Sequence, residues 1–292
     1  MTIRQARQAF GRRAPGRPAA VHHVTATALV MALAGGCSSG GADGPTASGA
    51  SAKPATTPAT AMSSAAPGAP FQAGECFDPQ AGAKGWGDCS RPHDYEVMLA
   101  QRLPDRVVGD YVRTEMRRAC HAALPTYLKS PDANASRLQA ATAGPSRGKD
   151  GARWFACLVS EEGPDGRPRR RTGSLAGALA GGLGSFQKCL VGEPLDDGPP
   201  RIVPCDRPHR SEAVPGVLVL GRPTDQPPDL EEMTSRALDH CKKAVDAHVG
   251  RGRSGVRPSG LSPLPEEWAE GETTATCYAV TKKPVTGSLR GR

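Results

Sequence analysis

The residues best suited to chemistry in this sequence are a histidine and a glutamate three positions apart, and they occur twice. Cys89-Ser-Arg-Pro-His-Asp-Tyr-Glu-Val97 matches Cys205-Asp-Arg-Pro-His-Arg-Ser-Glu-Ala213, giving the shared pattern C-x-R-P-H-x-x-E followed by an aliphatic residue. An imidazole near a carboxylate is raw material for general acid–base work or for a metal site. His93, Glu96, His209 and Glu212 are therefore the candidate binding residues. The pattern stops short of a catalytic set. Neither copy carries an H-E-x-x-H helix or a G-x-S-x-G elbow. Once the cysteines are paired, neither offers three evident His/Asp/Glu metal ligands. No catalytic residue, metal ligand or cofactor is assigned. The architectural alternative is a proline that stiffens a turn, a histidine that hydrogen-bonds a strand or the Glu, and an arginine that caps a carbonyl. Zinc held by Cys89 with His93 and by Cys205 with His209 is a further option, against which an oxidising location argues.

The elements that must position these residues also repeat. Cys76, Cys89, Cys120 and Cys157 are spaced 13, 31 and 37 apart; Cys189, Cys205, Cys241 and Cys277 are spaced 16, 36 and 36 apart. Thr172-Gly-Ser-Leu175 matches Thr286-Gly-Ser-Leu289, and Trp154 and Trp268 each precede a fourth cysteine. For both tryptophans a core role stands beside stacking on a sugar ring. Short apolar stretches around the first two cysteines, Glu96–Leu103 and Glu212–Leu220, and the segments around the fourth cysteine all read as strands. Pro215-Gly216 breaks the second copy's third strand or puts it at a sheet edge. A helix carries the third cysteine. In the second copy Asp229 is its N-cap, Glu232 follows three residues later, and Gly250 lies just past the end. Leu230, Met233, Ala237, Cys241, Ala244, Val245 and His248 share one face. Val108, Val112, Met116, Cys120, Ala123 and Tyr127 do so in the first copy, where Pro125 kinks or ends the helix.

The expected fold class is α+β, with two tandem disulfide-stapled modules, each β-β-β-α-β with one helix on a small antiparallel sheet. The first two cysteines lie on successive strands, and the third faces the sheet from the helix. The expected bonds are Cys76–Cys89, Cys120–Cys157, Cys189–Cys205 and Cys241–Cys277, with bonds crossing between copies as the alternative. Residues 71–176 and 185–292 bound the modules. Where the copies join, over residues 160–185, Arg167–Arg171 is a basic run, read as a solvated linker or as a contact for anionic lipid or wall polymer. Leu175, Leu179 and Leu183 recur at helical intervals and are expected to pack between the modules.

Residues 1–36 read as a lipoprotein signal peptide. Five arginines precede the apolar run Val24–Ala34, which is too short to span a bilayer. Leu33-Ala-Gly-Gly-Cys37 resembles a lipobox, making Cys37 the expected lipidation site. Residues 37–70 are rich in Ser, Thr, Ala, Gly and Pro and read as a disordered tether reaching about 30 Å. The expected location is the extracytoplasmic face of the plasma membrane, held through the lipid on Cys37. Without Cys37 the nine cysteines leave an even eight, as suits disulfides outside the cytosol. The net charge of +8 falls to +3 without the five leading arginines, so nucleic acid is not an expected partner.

With these residues in view, the chain resembles the septum formation domain family of actinobacteria. The resemblance rests on Cys76, on Cys89 with Pro92-His-Asp-Tyr-Glu-Val97, and on Cys120 and Trp154 with Cys157. In the second copy it rests on Cys189, Cys205, Pro208-His209, Glu212, Cys241, Trp268, Gly271 and Cys277. That copy departs at Arg210 and Ala213, which replace the family's Asp and Val. The resemblance implies a role at the division septum and brings no catalytic residue. The function expected is non-enzymatic binding or scaffolding at the cell surface, with wall polymer or division and wall-synthesis proteins as partners. An envelope hydrolase or metal-dependent site on the Pro-His-x-x-Glu motif is the alternative.

Overall fold

The computed structural model describes residues 68–291, apart from Asp197 and Pro199. The signal segment, Cys37 and nearly all of the tether lie outside the described residues. The first half is an antiparallel sheet of β1 (Cys76–Phe77), β2 (Trp86–Gly87), β3 (Tyr95–Arg102), β4 (Leu138–Arg147) and β5 (Arg153–Glu161), in the order β2-β1-β3-β5-β4. Helix α1 (Tyr111–Leu128) packs on it. The second half repeats this arrangement. Strands β6 (Cys189–Leu190), β7 (Ile202–Val203), β8 (His209–Ala213), β10 (Val256–Leu261) and β11 (Thr274–Val285) run in the order β7-β6-β8-β11-β10, with α2 (Leu230–Val249) against them. Between β8 and α2, β9 (Leu218–Val219) pairs with the start of β11, and a short α3 (Pro265–Ala269) precedes β11.

The fold is α+β with two antiparallel sheets, as expected, but the first module has one strand more than β-β-β-α-β and the second two, one of them the short β9 split from the expected third strand. The other additions, β4 and β10, both lie at sheet edges. They contain Gly144-Pro145 and Pro258 with Gly260, residues that a sheet tolerates at an edge and that hide a strand from pattern reading. Pro215-Gly216 does separate β8 from β9. Helix α2 is capped as expected: Asp229 accepts from the Glu232 N–H at 2.7 Å, and Gly250 closes the far end. Helix α1 runs past Pro125 to Leu128, because the lost N–H falls in the last turn. There Lys129, in the left-handed region, directs its N–H to the last carbonyls. Leu230 and Val108, assigned to the helix faces, are exposed.

All four disulfides lie within a module: Cys76–Cys89, Cys120–Cys157, Cys189–Cys205 and Cys241–Cys277, with Cα–Cα distances of 4.9–5.2 Å. The modules are nevertheless not separate bodies. Their largest apolar cluster joins Met116, Leu124, Leu128 and Phe155 of the first to Leu190, Ile202, Ala213 and Tyr278 of the second. Leu175, Leu179 and Leu183 of the connection are buried in the same cluster, carried on turns. The basic run folds back onto the protein. Arg170 forms two hydrogen bonds to Asp78 at 2.9 and 2.6 Å, Arg169 pairs with Glu161, and Arg171 lies over the Phe186 ring. Trp154 and Trp268 are both buried, but at different places in the two modules: Trp154 lies on β5 and Trp268 in α3. Among the described residues no helix is long and apolar enough to cross a membrane.

Candidate functional site

The repeated motif forms the same structure twice. His93 and His209 each turn Nδ1 toward the carbonyl of the preceding motif arginine, Arg91 or Arg207, at 2.7 Å. Glu96 lies opposite Cys76 on the neighbouring strand, and Glu212 opposite Cys189. All four motif side chains are buried, none more than 2% exposed.

The carboxylates meet donors from the other repeated motif. Glu96 accepts from the Ser174 hydroxyl, the Leu175 N–H and the Tyr127 hydroxyl. Glu212 accepts from the Ser288 hydroxyl at 2.7 Å, the Leu289 N–H at 2.6 Å, Gln187 at 2.8 Å and His248 Nε2 at 2.7 Å. Each Thr-Gly-Ser-Leu therefore closes over the glutamate of its own module. Tyr127 and His248 both stand seven residues after the helix cysteine, so a phenol in one module does the work of an imidazole in the other.

The electrostatics follow from this burial. Desolvation would raise the Glu212 carboxyl, but His209, His248, Leu289 and Ser288 outweigh it and hold the group well below the carboxylate range. Burial lowers the His209 imidazole, and the facing Glu212, 3.8 Å away, more than reverses this. Burial also pushes the Tyr127 phenol up, helped by Glu96. Cys76, Cys89 and His93 cluster at metal-ligand spacing, as do Cys189, His209 and Glu212. The sulfurs are bound in disulfides, so neither cluster offers a thiolate.

A more accessible arrangement lies between the modules, where sequence reading placed no site. A cleft of about 300 Å3 is lined by His121 of α1, Asn134 from the turn after it, Lys188, and Glu272, Thr274 and Tyr278 at the start of β11. His121 Nδ1 is 2.5 Å from Glu272. Asn134 donates to Glu272 at 2.9 Å and to the Thr274 hydroxyl at 2.5 Å, and Lys188 Nζ donates to the Asn134 carbonyl at 2.8 Å. Burial raises the Glu272 carboxyl, but His121, Asn134 and Lys188 bring it below its ordinary value. Burial depresses the Lys188 ammonium, against the opposing charges of Glu162 and Glu272. The cleft thus presents an ordered set of donors and acceptors around a pocket large enough for a small polar group. Among the described residues no Ser, Thr or Cys side chain hydrogen-bonds His121, so the imidazole has a carboxylate partner but no nucleophile. No sequence signal marked these residues: they are scattered from 121 to 278 and lie on both modules.

A protein-family model described as septum formation matches residues 110–277, more than half of the chain. The match begins at Asp110, the residue before α1, and runs to Cys277 on β11. It therefore covers the first module from α1 onward and the second as far as β11, reaching both sides of the cleft but not β1–β3 with Cys76, Cys89, His93 and Glu96. No curated protein and no solved structure matches the chain.

Proposed function

The chain belongs to the septum formation family, and from that premise we propose that it is a lipid-anchored envelope protein that binds a partner through the cleft between its modules. Family membership supports a role connected with cell division. The observation that carries the binding reading is the convergence of His121, Asn134, Lys188 and Glu272 on one open cleft that both modules build. The His/Glu pairs of the repeated motif, on which a hydrolase could have been built, are interior, and their carboxylates are saturated by their own chain, while Nε2 of His93 and of His209 is buried without a hydrogen-bond partner. The lipobox ending at Cys37 supports an anchor, and the tether after it supports reach into the wall. Wall polymer and division or wall-synthesis proteins are the partners this location favours.

A photo-crosslinking residue at Gln139, exposed on the cleft rim, tests the reading in living cells. One discrete adduct is expected there, and none when the probe sits at Arg201 on the surface of the second module. Equal labelling at both positions would count against the cleft. The anchor is tested by Cys37→Ala, which is expected to abolish acyl labelling and release the protein from membranes.

The His121–Glu272 contact favours one second reading, a hydrolytic activity with His121 as base. Turnover of a wall-derived substrate that is lost in His121→Ala, with folding intact, would put it ahead of simple binding.

A further inference from the structure

The arginine of the repeated R-P-H motif behaves differently in the two modules. Arg91 donates to the Trp86 carbonyl and lines a small cavity together with Asp78, Asp88 and Arg170, so two acids face two bases. Counted from the cysteine, the position of Asp88 is held by Pro204 in the second module. Arg207 is exposed there and makes no ion pair among the described residues. It lines a cavity of about 710 Å3 with Arg137 and Arg169 of the first module, and among the described residues Asp206 is the one acid on the wall. This cavity shares no lining residue with the His121 cleft.

Arg137 adds a buried positive charge to the same wall. It is 3% exposed, and its terminal nitrogens are engaged by Glu161 and by the Ser185 carbonyl at 2.8 Å. Its Nε is buried without an acceptor. Glu161 is shared, since Arg169 also reaches it at 3.1 Å, so one carboxylate serves two guanidiniums. With its terminal nitrogens occupied and its Nε out of reach of solvent, Arg137 acts on an anion through its charge, while the exposed Arg169 and Arg207 can donate directly. Planar guanidinium forks match phosphate oxygens.

We infer that the cavity between Arg137, Arg169 and Arg207 is a binding site for a phosphate or phosphodiester group. Free phosphate esters and lipid headgroups share this chemistry. The full chain carrying Cys37→Ser, so that no acyl group holds it to lipid, is titrated at low ionic strength with inorganic phosphate and with glycerol 3-phosphate. It is also sedimented with phosphatidylglycerol vesicles. Saturable binding is expected, weakened about fivefold or more by Arg207→Gln and by Arg169→Gln and by less than about twofold by Arg91→Gln. Arg207 is exposed and makes no ion pair among the described residues, so the melting temperature of Arg207→Gln should not move, whereas Arg169→Gln also takes a partner from the buried Glu161 and is read beside its own melting temperature. Glycerol phosphate bound without vesicles assigns a free or polymeric phosphate; Arg207-dependent vesicle binding alone assigns a headgroup. The site is overturned if no probe binds saturably, or if Arg91→Gln weakens binding as much as Arg207→Gln.

Discussion

At the residue scale, the telling comparison is between Glu96 and Glu212, buried carboxylates solved by different donors. A fully buried charge survives only when its lone pairs are met, and removing the charge leaves those donors wrongly paired. Glu212→Gln is expected to destabilise the fold by about 2–4 kcal/mol, read by urea denaturation. Tyr127→Phe deletes one donor to Glu96 and should cost about 1–2 kcal/mol. The same cluster sets a pH dependence. Glu212 is lowered in the folded state, so its contribution is present above its ordinary value of 4.5 and is lost as pH falls through the lower folded value. His209 is raised, so its contribution is full below its ordinary value of 6.5 and is lost as pH rises through the folded value. The melting temperature should therefore peak between about pH 5 and 6.5, and Glu212→Gln should flatten both limbs.

At the element scale, the segment between the modules matters more than its composition suggests. A Gly/Ala-rich stretch with few bulky side chains carries little helix signal, and Leu175, Leu179 and Leu183 are buried on turns, where Gly177 and Gly182 adopt positive φ. Leu179→Ala is expected to cost about 2–4 kcal/mol and to expose the connection to proteolysis near Arg170. Among the caps, Asp229 was legible because an Asx cap and Glu232 are adjacent in sequence and act locally. Strands β4 and β10 were not, since an edge strand needs only one paired flank and so tolerates the prolines and glycines that read as loop.

At the scale of the whole molecule, the two modules unfold together or not at all. Leu190, Ile202, Ala213 and Tyr278 bury their apolar surface against the first module, so residues 185–292 alone would leave a core face in water. A single calorimetric transition is expected for the intact chain, and the isolated second module should fail to give a cooperative one. Two resolved transitions of similar size would refute the shared core. Each disulfide contributes about 2–4 kcal/mol by limiting the unfolded chain, which suits a protein with so few aromatic side chains.

The sequence by itself determined what is local or repeated. The eight-cysteine register, the α2 caps and the break at Pro215-Gly216 each depend on neighbours a few residues away or on comparison of one copy with the other. The pairing of the cysteines followed because a helix cysteine facing a sheet has few partners within reach. Tertiary structure alone decided what joins distant residues. Both R-P-H-x-x-E and Thr-Gly-Ser-Leu were visible as motifs, but 79 residues separate Glu96 from Leu175, and only the closed fold shows one as the donor to the other. The His121–Glu272 cleft and the Arg207 cavity lie further still from any local pattern. They exist because two modules, each legible in outline, bury a common core and so bring surfaces together that neither module's sequence specifies.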